Sequence, residues 1–169
     1  MDKETKKLMF KQAREYLSNG EFDKARPLLE ELDKENHGLA QCDLGEMYWC
    51  GQGVEENLDK ALEYFLKSAK NKYEPAAKCA SKILRHQWSV LMKERYADNP
   101  ELLKLIGEPL IAPIMEDDSL VVMFLTYSEE EHKAYTQELL DELKDVFEKY
   151  YCGRFKVITG IATLTTKKA

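Results

Sequence analysis

Residues 40–65 read AQCDLGEMYWCGQGVEENLDKALEYF, and the way this stretch divides decides the fold. Near its end, Leu58-Asp59-Lys60-Ala61 matches Phe22-Asp23-Lys24-Ala25 at a spacing of 36 residues. The match continues with Tyr64-Phe65 against Leu28-Leu29, and Ala76 answers Ala40 at the same spacing. A fixed period of that size is the signature of stacked repeats. Each copy also carries apolar residues at helical spacing: Ala25, Leu28, Leu29 and Leu32 in one, and Ala61, Leu62, Phe65, Leu66 and Ala69 in the other. The pattern predicts the second helices of two helical hairpins. The small alanines at 25, 40, 61 and 76 let neighbouring helices approach closely, as stacking requires.

The turns inside the two hairpins differ. From Tyr16 to Ala25 is nine residues, whereas from Tyr48 to Ala61 is thirteen. The four extra residues fall in Cys50-Gly51-Gln52-Gly53-Val54-Glu55-Glu56-Asn57, where two glycines permit positive φ and Val54 can turn back into the core. Ala40, Leu44-Gly45, Met47-Tyr48, Gly51, Gly53-Val54, Asp59-Lys60-Ala61, Tyr64-Phe65, Lys67, Ala69, Asn71 and Pro75-Ala76 together resemble one complete Sel-one-like repeat, a relative of the tetratricopeptide repeat. Residues 5–35 resemble a tetratricopeptide-type hairpin with the short turn, and 74–97 supply a closing helix. The resemblance implies a short α-solenoid over residues 1–97, of a kind whose relatives bind other proteins as scaffolds or adaptors.

In such repeats the first helix of each hairpin lines the concave side. With Ala40, Leu44, Gly45 and Tyr48 assigned to packing, Gln41, Glu46 and Trp49 are left to face outward, and the next first-type helix offers Lys82, Arg85 and His86. These six are the candidate protein-binding face. Trp49 is the sharpest of them, because an exposed aromatic beside an arginine is hot-spot material. The competing reading makes Trp49 and Trp88 ordinary packing residues. His37, His86 and His132 read as solvated surface.

The 169 residues, 44% hydrophobic and 33% charged, suffice for a buried core without disulfides or metals. No apolar run reaches the roughly 20 residues of a membrane span, and MDKETKK lacks the apolar core of a secretory signal, so a cytoplasmic location is expected. The cysteines at 42, 50, 79 and 152 form no C-x-x-C pair and read as free thiols. On a continuous helix Cys42 and Cys50 stand about 12 Å apart, too far for a disulfide.

Charge separates the chain into two parts. Residues 1–97 are neutral, 98–150 carry net −10, and 151–169 carry net +4. A turn signal at Asp98-Asn99-Pro100 lies near the change, which places a second unit at 98–169. There, two apolar runs around Glu116-Asp117-Asp118 predict a β-hairpin over 110–125, with Pro113 at an edge or bulge. Ser128 and Glu131 form a capping box for a helix ending at Gly153, and residues 154–164 alternate as a third strand. The expected architecture is a small α+β unit.

Trp88, Leu102-Leu103, Pro109, the strand from Asp118 to Phe124, Leu139-Leu140, Phe147, and Gly153 followed by Phe155-Lys156-Val157 resemble the C-terminal, polymerase-binding region of the tau subunit of bacterial DNA polymerase III. That resemblance implies a truncated KH-like fold and docking to a replication protein. The chain has neither a phosphate-binding G-x-x-x-x-G-K-[ST] loop nor the G-x-x-G loop of a full KH motif.

No catalytic motif is present, and the acidic turn at 116–118 lacks the glycine and distal glutamate of an EF-hand, so no catalytic residue, metal or cofactor is expected. The leading expectation is a non-enzymatic adaptor whose partner is another protein. An alternative is a nucleic-acid or replication accessory using Arg154, Lys156, Lys167 and Lys168, although the acidic surface argues against nucleic acid in general. A third is a small enzyme with its site between the units.

Overall fold

The computed structural model describes residues 1–101, 109–113, 120–126, 141 and 155–161. The chain divides into two units, Met1–Ala80 and Ser81–Ala169.

In the first unit Asp2 opens helix α1 (Lys3–Ser18), its Oδ1 accepting the Thr5 amide at 2.9 Å and so satisfying one of the free N–H groups of a helix start. A short turn through Gly20, at φ 73°, leads to α2 (Phe22–Lys34). His37 then caps α3 (Gly38–Cys50), its Nδ1 accepting the Ala40 amide at 3.2 Å. An accepting Nδ1 must be unprotonated, and burial pulls the His37 pKa down in the same direction. His37 is half-buried with its ring 4.8 Å from that of Phe10, so it is a structural cap and not the solvated histidine the sequence suggested. Gly51, at φ 65°, closes α3 in the left-handed conformation, and Asn57 caps α4 (Leu58–Lys70) by accepting the Lys60 amide.

The period of 36 recurs in the backbone. Helices α2 and α4 have 13 residues each and begin at the matched positions Phe22 and Leu58. Both end in the same turn. The His37 amide donates to the Leu32 carbonyl at 3.0 Å and the Asn36 amide to Asp33, while the Tyr73 amide donates to Ser68 at 3.3 Å and the Lys72 amide to Ala69. The left-handed residues Asn36 and Lys72 stand at φ 55° and 63°. This double bond is the Schellman ending of a helix, repeated one period on.

Packing runs from neighbour to neighbour: α1 on α2, α2 on α3, α3 on α4. Ala13, Leu29, Leu32, Ala40, Leu44 and Met47 form the buried centre, and Val54 of the long loop folds back against it. Ala25, Ala40, Ala61 and Ala76 are all fully buried, which fits the close helix contacts that their size permits.

The second unit contains most of α5 (Glu74–Arg95), a helix that starts one period after α3, and three described strands. Strand β1 (Pro109–Pro113) pairs antiparallel with β2 (Leu120–Thr126), Ile111 opposite Val122, and β3 (Phe155–Ile161) pairs parallel with β2, Val157 opposite Val122. The order β1-β2-β3 leaves β1 at an edge, where its prolines cost no ladder hydrogen bond on the open side. A parallel pair needs a crossover of a dozen residues or more, and 127–154 supply that length. The helix expected over 128–153 lies outside the described residues, as do Arg154, Lys167 and Lys168. No described helix is long and apolar enough to cross a membrane.

Candidate functional site

Helices α1 and α3 are the first helices of their hairpins, and between them opens a cleft of about 230 Å³ lined by Arg14, Leu17, Ser18, Asp43, Glu46 and Gln52. Arg14 sits on α1 and is 58% exposed; Asp43 sits on α3 and is only 6% exposed. The Arg14 Nη1 donates to Asp43 Oδ1 at 2.7 Å. Asp43 Oδ2 is fully buried and has no hydrogen-bond partner.

This carboxylate is electrostatically poised. Burial pushes the Asp43 pKa up to about 6, the Arg14 charge and hydrogen bond pull it back, and Glu46 adds to the rise. The neighbouring Cys42 thiol is pushed up to about 12, first by burial and then by Glu46 and Asp43, so at neutral pH it remains a thiol and is a poor nucleophile. The Tyr73 hydroxyl feels the same surroundings: desolvation raises its pKa, followed by Cys42, Asp43 and Glu46.

The six sequence candidates fare differently. Glu46 is exposed and belongs to the cleft. Gln41 does not face outward. It is 1% exposed, its Nε2 donating to Asp33 Oδ1 at 2.9 Å and Asn36 Oδ1 at 3.1 Å while its Oε1 accepts from Asn71 at 2.8 Å. Its polar head is spent on tying the ends of α2 and α4 to α3. Trp49 is half-buried with its ring edge-on to Phe65, centroids 5.7 Å apart at 82°. Lys82 and His86 are exposed and Arg85 half-buried on the part of α5 that belongs to the second unit, where Arg85 Nε donates to the Ser81 carbonyl at 3.3 Å. Lys156 lies on β3.

The sequence reading missed Arg14 and Asp43. The available signal was an acid embedded among Ala40, Leu44 and Met47, all of them buried, which calls for a cationic partner.

Helix α3, the glycine loop, α4 and the Schellman turn that follows make one structural unit from Gly38 to Tyr73. Residues 38–73 match the Sel1 repeat. The Sel1 match therefore begins on the first residue of α3 and ends on the residue before α5. No curated protein and no solved structure matches the chain. Sel1 repeats generally mediate protein–protein interaction and are typically non-enzymatic. The match reaches neither Trp88 nor residues 98–169, which carry the tau-like resemblance, and no comparison supports that resemblance.

Proposed function

We propose that the chain is a non-enzymatic adaptor that grips a partner protein with the helical repeats of residues 1–97 and uses residues 98–169, an α+β unit, as a second docking or self-association module. The carrying observation is the cleft between α1 and α3. These helices pack Ala13, Ala40, Leu44 and Met47 into the core, and their first-helix side keeps an exposed arginine, an exposed glutamate and a buried carboxylate with an unpaired oxygen. A Sel1 repeat over 38–73 agrees with a protein as the occupant. The Cys42 thiol, protonated at neutral pH, offers no activated nucleophile beside the cleft.

The test plugs the cleft. Ser18 is exposed on its wall, so Ser18→Trp fills the space without entering the core. The unaltered chain and the Ser18→Trp variant are used to capture proteins from the native cell extract, and each captured protein is purified and recombined with the chain. The expected result is a partner that binds the unaltered chain, protects α1 and α3 amides from hydrogen exchange, and is lost with Ser18→Trp. Equal binding by both proteins, or protection confined to other elements, overturns the cleft as the gripping surface.

A further inference from the structure

The cleft also has a chemical preference. We infer that it receives a cationic side chain of the partner, a lysine or arginine, held between Asp43 and Glu46. This inference rests on the protein-binding reading and adds the chemistry of what is bound.

Asp43 Oδ2 is a buried carboxylate oxygen that accepts nothing. Buried polar atoms are nearly always paired, and this unpaired oxygen belongs to a residue that lines the cleft, so a donor entering the cleft reaches it once the covering Arg14 side chain moves. Arg14, the cation that pairs with Asp43, is engaged through Nη1 with the other oxygen. Arg14 is more than half exposed and tied to Asp43 by that one bond, so it can swing aside as a second cation arrives.

The walls fit such a guest. Two carboxylates face one guanidinium, which leaves the cleft net negative. Leu17 gives an apolar wall for a methylene stem, while Ser18 and Gln52 are neutral. About 230 Å³ is below the roughly 300–1,000 Å³ typical of small-molecule pockets, and suits one long side chain of a peptide better than a whole metabolite.

The experiment is a titration of the ¹⁵N-labelled full chain with acetyl-Gly-Lys-Gly-amide, alongside the peptides carrying norleucine or glutamate in place of lysine. The lysine peptide is expected to move the amides of Arg14, Leu17, Ser18, Asp43, Glu46 and Gln52. The norleucine peptide should bind about tenfold more weakly, the effect of losing a hydrogen bond to a charged group. Asp43→Asn, which keeps the acceptor for Arg14, should lose about the same factor. Glu46→Gln alters an exposed side chain and cannot unfold the core; it should cost about two- to threefold.

Arg14→Ala distinguishes this idea from a general groove. Removing the competing cation should leave lysine-peptide binding unchanged or tighter, whereas a cleft that binds through Arg14 would lose it. Equal shifts from the norleucine or glutamate peptide, undiminished binding by both Asp43→Asn and Glu46→Gln, or no shift from any peptide each overturns the cation inference. None of these outcomes touches the proposed gripping surface, which stands or falls on partner loss with Ser18→Trp.

Discussion

The ring of Phe65 occupies the space that a side chain on Gly45 would need: a Cβ there would come within 2.8 Å of both Cδ1 and Cε1. Helices α3 and α4 touch at this point because the residue on α3 has no side chain. Phe65 is fully buried and meets Trp49 edge-on, so its ring has little room to retreat.

Gly45→Ala is therefore expected to destabilise the first unit. Alanine returns up to about 1 kcal/mol of helix propensity, while overpacking costs about 1–3 kcal/mol. A net loss of roughly 1 kcal/mol should appear in urea melts, accompanied by a change in Trp49 emission as Phe65 shifts. A variant as stable as the parent, with unchanged emission, would mean that the two helices separate freely.

The repeat was legible because it rests on local signals. Phe22 and Leu58 each begin a second helix, and the glycines at 51 and 53 do take positive φ in the longer loop. Burial side was harder to read. A helix packed on two flanks buries polar residues as well as apolar ones, so elimination by apolar spacing sent Gln41 outward when its amide lies among Asp33, Asn36 and Asn71. Arg14 and Asp43 escaped for a different reason. They are 29 residues apart, and neither shows its partner in any local window.

Gln41→Leu keeps the approximate volume but removes the amide that serves three polar neighbours. Asp33 Oδ1 and Asn71 Nδ2 each lose a bond, although Asn36 and Asn71 still hold one another at 3.0 and 3.1 Å. Leaving part-buried polar atoms unpaired costs about 1–3 kcal/mol, and a thermal melt should fall accordingly. The peptide titration of the cleft should be unaffected, because Gln41 serves the fold. Weakened peptide binding without loss of stability would restore Gln41 to the binding face.

The two left-handed residues that end α2 and α4 should respond unequally to glycine. Lys72 at φ 63° carries a Cβ in a conformation that costs L-residues roughly 1 kcal/mol, so the backbone strain that Lys72→Gly relieves offsets what its side chain contributes. Asn36 is in the same conformation, but its side chain bonds Asn71 and Gln41, so Asn36→Gly should destabilise. Urea melts of the two variants give the comparison. Asn36→Gly is expected to be the more destabilised of the two, and equal changes would show that backbone strain, and not the amide network, governs these turns.

Asp43 gives the first unit a pH dependence of unusual sign. Its folded pKa of about 6 lies above the ordinary 3.8, so the folded state holds the proton more tightly than the unfolded chain does. The stability it contributes is fully present below about pH 4 and is lost as pH rises through 6, a change of roughly 3 kcal/mol. Surface carboxylates such as the half-buried Glu35, lowered by hydrogen bonds from Lys6 and the N-terminus, act in the opposite sense, but they are common to parent and variant and cancel in a comparison. Asp43→Asn does not titrate. Its stability relative to the parent should therefore climb by about 3 kcal/mol between pH 4 and 7 in urea melts, whatever its constant offset. Arg14→Ala should push the same transition to higher pH, because the guanidinium is what holds the Asp43 pKa down. A parent-minus-variant difference that stays flat across this range would place Asp43 in water, and with it would go the buried acceptor on which cation binding depends.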